Sequence, residues 1–246
     1  MVMQSGTNSY RIVVYNKTTK ATAAQNFGAG RLELVHADEE YVYISNWNEG
    51  TLYRADHMLK KSELIFTQPE KVTVSDADKT LGIFIHDEYL YYRADYETVK
   101  VPLSNGTQYI EPFQYNIRRV PLSNPNSEGE LVAEGVFELC DFGVAGNQFY
   151  FTPMDVGAKE DGYYFNFSNG RLCAVDLDTL ECTDVVSNSN LLFDSSGDGL
   201  ILTDRYIVTC IRAVGDTGYD IKMEDAHSYW TLYDFETGSI YQLYTH

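Results

Sequence analysis

Three groups of residues in this chain of 246 have types and spacings that could do chemistry. The first is Asp194-Ser-Ser-Gly-Asp-Gly199, where Asp194, Ser196 and Asp198 alternate and Gly199 stands where an oxygen-rich calcium loop must turn. Such a loop takes its bidentate acid at the twelfth position, and Arg205 stands there. The segment reads first as a turn and second as an incomplete metal site, calcium being the one cofactor the sequence suggests. The second group lies in three stretches, 93–115, 153–169 and 212–228, where acids such as Asp95, Asp155, Asp216 and Asp225 are interleaved with Tyr96, Tyr109, Tyr163, Tyr164 and Tyr219. Tyrosine joins an apolar ring to a hydrogen-bonding hydroxyl, a combination suited to recognising a sugar or a protein. Trp47, Tyr96, Asp155, Tyr163, Tyr164, Tyr219 and Asp225 are the ligand-binding candidates, set against the plainer reading of these stretches as solvated loops. The third group is Asp76, Asp78, Asp141 and Asp198, the carboxylates that would serve glycoside hydrolysis if two of them faced each other roughly 5 to 10 Å apart with separated pKa values.

Other chemistries are missing from the pattern. His36, His57, His86, His227 and His246 form no short-spaced ligand pair, and there is no nucleophile elbow and no phosphate-binding glycine-rich loop. His36 and His86 fall at matching places before a turn, which gives them a structural role. A binding module with no catalytic residue is the leading expectation, a carbohydrate-active enzyme the second and a spacer domain the third.

Thirty-six acidic residues against eighteen basic ones give a formal net charge of −18, and no Lys/Arg cluster is long enough to follow a phosphate backbone, so nucleic acid is not an expected partner. No run of about eighteen apolar residues occurs, and membrane insertion is not expected either. The first ten residues lack the basic-then-apolar pattern of an export signal. Cys140, Cys173, Cys182 and Cys210 could form two bridges in three ways but no C-x-x-C pair, and four buried thiols is the simpler expectation.

What must position these residues is a repeat. Four segments beginning at Leu32, Leu81, Phe142 and Leu200 each read as strand, tight turn, strand, with aromatic or β-branched triplets starting at Tyr41, Tyr89, Phe149 and Tyr206. A second hairpin follows each triplet, as in Thr51-Leu-Tyr-Arg-Ala-Asp with Glu63-Leu-Ile-Phe, or Tyr229-Trp-Thr-Leu-Tyr-Asp-Phe with Ser239-Ile-Tyr-Gln-Leu, joined by turn formers such as Asp234-Phe-Glu-Thr-Gly238. A short helical stripe of Leu52, Ala55, Met58 and Leu59 competes locally but stops within two turns. Four strands per repeat, four times over, predicts an all-β β-propeller of antiparallel blades at about 29–68, 69–135, 136–188 and 189–246 within a single domain. Tyr10 to Lys20 matches the outer hairpin of the last repeat with no inner hairpin before it, which predicts a partial blade over 1–28 whose second strand ends near Met1 to Gln4. The chain is thereby expected to be a piece of a larger ring. Val101-Pro-Leu-Ser-Asn105 recurs as Val120-Pro-Leu-Ser-Asn124 and predicts an extra hairpin inserted in the second repeat.

Tyr41-Val-Tyr-Ile-Ser-Asn-Trp-Asn-Glu-Gly-Thr-Leu-Tyr-Arg-Ala-Asp, echoed by Tyr89-Leu-Tyr-Tyr and Ile117-Arg-Arg-Val-Pro-Leu, resembles the repeat of bacterial propeller domains similar to low-density-lipoprotein-receptor-related proteins. The resemblance covers under half the chain. It implies a secreted or surface protein of a Gram-positive bacterium, with a cytoplasmic location as the alternative, and it assigns no catalytic residue.

Overall fold

Tyr41-Val-Tyr-Ile-Ser-Asn46 shows why this chain makes sheets that pack on both faces. Its aromatic and β-branched residues favour the pleated strand, and all but the first are buried. The computed structural model describes residues 2–4, 10–46, 48–69, 72–74, 77–79, 83–102, 108–137, 143–151, 153, 155–159, 162–166, 170–188, 191–193, 201–203, 205–213 and 227–243. Every element among them is a strand. Strands β1 (Val2–Gln4), β2 (Tyr10–Tyr15) and β3 (Thr22–Gln25) form a three-stranded sheet in that order, and β4 (Leu32–Ala37), β5 (Tyr41–Asn46), β6 (Thr51–Asp56) and β7 (Ser62–Thr67) form the first complete blade. A small ribbon of β8 (Val72–Val74) and β9 (Ala77–Lys79) precedes the second blade, made of β10 (Phe84–His86), β11 (Tyr89–Pro102), β12 (Gln108–Pro121) and β13 (Glu130–Phe137). The third blade starts with β14 (Gly143–Ala145) and β15 (Gln148–Phe151), then inserts a ribbon of β16 (Asp155–Lys159) and β17 (Gly162–Asn166). It closes with β18 (Gly170–Asp176) and β19 (Cys182–Asn188). In the fourth, β20 (Leu191–Phe193) and β21 (Ile201–Leu202) share the inner position against β22 (Tyr206–Ala213), followed by β23 (His227–Asp234) and β24 (Ser239–Leu243).

All these pairings are antiparallel, and the second strands begin at or one residue before the predicted triplets. The partial blade is also as expected: β1 takes the second-strand position, with Gln4 opposite Tyr10. The helical stripe is overridden, because Leu52 and Ala55 lie on β6 while Met58 and Leu59 form its turn. Contacts divide the chain into two compact units, one of Met1–Tyr96, Lys100–Glu111 and Ile117–Leu131, the other of Glu97–Val99, Pro112–Asn116 and Val132–His246.

In the first unit, alternate residues of β5 serve two cores. Val42 and Ile44 join Ile12, Phe27, Leu32, Ala55 and Leu59, so the partial blade packs on the first complete one. Tyr43 instead joins Leu52, Phe66, Ile83, Leu90, Tyr92 and Val120, which seals the first blade against the second. In the second unit Tyr150, Leu172 and Ala174 pack with Val185, Tyr233 and Phe235, the Tyr150 and Phe235 rings stacking at 4.8 Å. Burial pushes the Tyr150 hydroxyl up to about 12, with Tyr233 adding to it, which makes this tyrosine a neutral core residue.

Four outer turns repeat one device. Asn16, Asp56, Asp176 and Asp234 each end a third strand or its equivalent, and each side-chain oxygen accepts backbone N–H groups of the turn that follows. In three of them a threonine then caps the first residue of the next strand or the residue before it: Thr19 accepts from Ala21, Thr179 from Glu181 and Thr237 from Ser239. The turn closes on a residue of positive φ, namely Lys20, Leu180 or Gly238, and Leu59 in the first blade. A second device ties this outer turn to the inner turn of the same blade. The N–H of Leu122 donates to Glu88 O at 2.8 Å, that of Leu177 to Asn147 O at 3.0 Å and that of Phe235 to Arg205 O at 2.9 Å. In the first blade the residue at that position is His57, and its Nε2 lies 3.0 Å from Asp38 O.

At the opposite end of the first blade, Asn46 holds the connector that enters it. Its buried side chain donates to Phe27 O and Ala29 O, both at 3.0 Å, and accepts from the N–H groups of Asn48 and Glu49. Asn48 and Glu49 in turn accept from Arg31 and Ala29. The connector needs glycine here: Gly28 has φ +97°, and a Cβ on it would lie 2.5 Å from a Glu49 carboxylate oxygen.

Asn46→Ala leaves one buried carbonyl, one partly buried carbonyl and two N–H groups without their partner and should destabilise the protein by about 2–3 kcal/mol in urea denaturation; a change below about 0.5 kcal/mol would show that the clamp is dispensable. The turn carboxylates predict an acid limit. Backbone N–H donation from Thr179 and its neighbours holds Asp176 below the usual carboxylate range, and the Arg205 guanidinium does the same for Asp234. A carboxylate with a depressed folded-state pKa stabilises above the unfolded value of about 3.9 and loses that contribution as pH falls through the folded value. Urea midpoints should therefore be level from about pH 7 to 5 and fall below about 4, with a shallower fall in Asp176→Asn/Asp234→Asn.

Candidate functional site

The connections between second and third strands hold the sequence-predicted binding residues, and the first three blades each build this connection differently. The first uses a short turn over 47–50. Trp47 lies there, outside the described residues, between Asn46 and Asn48, which are both committed to the connector clamp. In the second blade the stretch expected as a loop is strand: β11 and β12 run for 14 residues each, and Tyr96 lies within β11. In the third blade the expected loop holds the β16–β17 ribbon, with Asp155 opposite Asn166, Gly157 opposite Tyr164 and Ala158 opposite Tyr163. Both stretches are therefore corrected from loops to β-structure, because alternating Tyr, Val and Phe favour a pleated pair. Consecutive strand residues fall on opposite faces. Asp155 and Tyr164 thus share one face of the ribbon by register, and Tyr163 falls on the other.

The recurring Val-Pro-Leu-Ser-Asn has a local explanation. Pro102 and Pro121 each end a strand, β11 and β12, so the Val-Pro of each copy closes one strand of a long antiparallel pair. The predicted extra hairpin is thus a continuation of strands already in the blade.

Tyr219 and Asp225, the fourth blade's candidates, lie outside the described residues, as do Asp194, Ser196 and Asp198. The strands on either side of the latter three are placed: Phe193 pairs with Ile211 and Ile201 with Val208. Arg205, at the position where calcium needs an acid, is engaged by two carboxylates, Asp234 at 3.0 Å and Glu236 at 3.1 Å, with its guanidinium 5.1 Å from the Tyr206 ring centre. Among the described residues no three His, Cys, Asp or Glu side chains converge as a metal site. Of the four hydrolytic candidates only Asp78 falls in a described element, on β9 opposite Thr73; Asp76, Asp141 and Asp198 lie outside the described residues. Cys173 is buried and its thiol lies 3.3 Å from an Asp184 oxygen, whereas Cys182 is exposed, which corrects the expectation of four buried thiols.

Sequence reasoning missed a cross-strand ladder that the Leu-Tyr-Arg motif encodes. Arg54 on β6 stands opposite Glu63 on β7, bonds to its carboxylate, and lies over the Tyr41 ring at 4.7 Å. Arg119 on β12 repeats this with Glu130 at 2.8 Å and the Tyr89 ring at 4.4 Å, and its side chain is only 8% exposed. Burial raises Tyr91 above the usual phenol range, and the Arg119 guanidinium acts against that shift. The signal for the ladder was an arginine at matching third-strand positions in two repeats, Tyr53-Arg54 and Arg118-Arg119. A neighbouring group, Asp38, Tyr43 and His36, has the Tyr43 hydroxyl donating to Asp38 at 3.0 Å and the His36 ring 5.6 Å from that of Tyr43. Burial raises the Tyr43 pKa first and the Asp38 carboxylate second, and the pair fastens the inner turn. The expected structural role of the repeated histidines agrees with this placement, His86 lying 3.3 Å from Asp87 in its own turn.

No helix of the described residues is long and apolar enough to cross a membrane. No protein-family model matches the chain, and no curated protein matches it. Among solved structures it is similar to the tricorn protease, at 12% identity over 98% of this chain and 26% of that one, with a TM-score of 0.53. It is also similar to the N-terminal domain of Nup159, at 11% identity over 90% of this chain and 49% of that one, with a TM-score of 0.48. The chain thus spans about a quarter of the first structure's length and half of the second's. At such identities the likeness concerns the fold, and together with the strand order it makes this chain an all-β β-propeller of four-stranded antiparallel blades.

Proposed function

We propose that this chain is a non-enzymatic protein-binding module that works through the β-extensions between second and third strands, each taken within its own blade. One observation carries the reading: in two blades this connection is ordered β-structure, 14-residue strands in one and a separate ribbon in the other, where a six-residue pair suffices in the first blade. Ribbons hold side chains at fixed register and present edges to a partner, which loops do not. Tyr96 is the contact of the second blade's extension with a described strand position, Asp155 and Tyr164 are those of the third blade's, and Tyr219 and Asp225 are assigned to the fourth blade's corresponding connection. The net charge of −18 favours a basic partner through steering and local complementarity. The resemblance to secreted bacterial propeller domains fits a surface-displayed binder. Nothing in the placed geometry favours a sugar over a protein.

Replacing residues 96–114 and 155–166 by two-residue turns, with the melting temperature checked, should abolish capture of basic peptides from an array while leaving the blades folded. Capture that survives both deletions would overturn the reading. The same reading makes 194–199 a turn, since Arg205 is already neutralised by Asp234 and Glu236. Millimolar calcium should accordingly leave the melting temperature unchanged, whereas a site of consequence would raise it.

A further inference from the structure

Acidic residues are not spread evenly along this chain. The first 32 residues contain no Asp or Glu and four basic residues, Arg11, Lys17, Lys20 and Arg31, so all 36 acids and the other 14 of the 18 bases lie beyond them. That acid-free segment is the β1–β2–β3 sheet with its connector. Lys17 and Lys20 are exposed on its outer turn. The outer turn of the next blade adds Lys60 and Lys61, also exposed, and the two elements are joined where Gln25 Nε2 donates to Ser62 Oγ at 2.7 Å, one residue past Lys61. None of the four ammonium groups forms an ion pair among the described residues, and the nearest carboxylate of the turn, Asp56, is occupied by the N–H groups of Met58, Lys60 and Lys61. Beside this patch runs β3, Thr22-Ala-Ala-Gln25, which ends its sheet. Edge strands are ordinarily blunted by charge, proline or a bulge; β3 has no charged residue, no proline, and a continuous register with β2.

We propose that β3 and the four lysines form a docking surface for an extended acidic peptide segment, which adds to the β3 edge and sets its carboxylates against Lys17, Lys20, Lys60 and Lys61. The occupant follows from two physical limits. An open edge takes an extended chain, since that is what completes its hydrogen bonds. A protein of net charge −18 repels a large polyanion at distance, while a short acidic segment lies within a Debye length, about 8 Å at physiological salt, of the lysines and feels them first. This surface is separate from the β-extensions, so it stands or falls apart from the reading above.

The probe is a fluorescein-labelled ten-residue peptide of alternating Glu and Thr, with a Gln-Thr peptide as the uncharged control, followed by anisotropy. At about 50 mM salt the acidic peptide should bind with a submillimolar Kd, and at about 500 mM the affinity should drop at least about tenfold. Lys17→Glu/Lys20→Glu/Lys60→Glu/Lys61→Glu should weaken it by a similar factor, with an unchanged melting temperature. Should that variant fold poorly, the neutralising pairs Lys17→Gln/Lys20→Gln and Lys60→Gln/Lys61→Gln should each weaken binding about threefold. Hydrogen exchange should show added protection of the Thr22 to Gln25 amides on peptide addition. No binding by the native chain, equal binding of the Gln-Thr peptide, equal binding by the variants, or unaltered exchange at β3 would each overturn the proposal.

Discussion

A backbone hydrogen bond from the outer turn to the inner turn of the same blade is the constraint on which the register of this fold depends. The donors Leu122, Leu177 and Phe235 sit one residue past the end of a third strand, and the acceptors Glu88, Asn147 and Arg205 sit just before a second strand. The bond therefore holds two hairpins that share the second-to-third strand pair, and neither can slip alone. Slippage by one residue would exchange the two faces of every strand. In the first blade, where the His57 side chain makes this tie in place of a backbone N–H, that would turn Val42 and Ile44 out of one core and Tyr43 out of the other, a loss of about 1.5–3 kcal/mol for each large side chain uncovered. A single neutral hydrogen bond contributes about 1 kcal/mol net. The packing thus supplies the energy, and the tie selects the register in which that packing is available.

The charged groups are secondary to this. Arg54 and Glu63 are both solvent-accessible, and such a pair contributes at most about 1 kcal/mol. Arg119 differs because its side chain is enclosed between an aromatic ring and Glu130, so its stem packs as well as its charge pairs. Asp176 and Asp234 work more locally still: their oxygens satisfy turn amides that no strand partner reaches, which is why Asn16 can do the same at the first outer turn without a charge.

The repeat was legible because its cause is local. Tyr41, Tyr89, Phe149 and Tyr206 mark second strands through alternation alone, and Asp234 to Gly238 announces its turn through residue chemistry. The partial blade was legible for the same reason, since the Asn16 turn copies the Asp234 turn residue for residue in its bonding. The second-to-third connections were not. Residues 93–115 and 153–169 carry acids and glycines that suggest loops, while their strand character depends on a partner across the ribbon, as when Tyr164 meets Gly157. The connector clamp was invisible for a related reason: Asn46 acts on Phe27 and Ala29, 19 and 17 residues away, and nothing in either segment alone announces the other. Of the candidate binding residues, the sequence located the connections they occupy, and strand register then separated Tyr163 from Tyr164, which adjacency in sequence had grouped.

These two ends of the blade have different freedoms, and that difference bears on function. At the tied end, the outer turns of the first, third and fourth blades span four or five residues with like bonding, and the second blade's, over 122–129, is longer but still makes the tie through Leu122. At the second-to-third end no such tie recurs among the described residues, and the three connections with described residues take three forms: a clamped turn, a continued strand pair and an inserted ribbon. A change there alters what the blade presents while the cores built on Tyr43 and Tyr150 keep their partners. Charge follows a comparable separation, with the acid-free β1–β2–β3 sheet set apart from blades that hold every carboxylate. A scaffold whose register is fixed at one end can accumulate chemically distinct surfaces at others, and the strand extensions and the lysine-flanked β3 edge are two such surfaces on one fold.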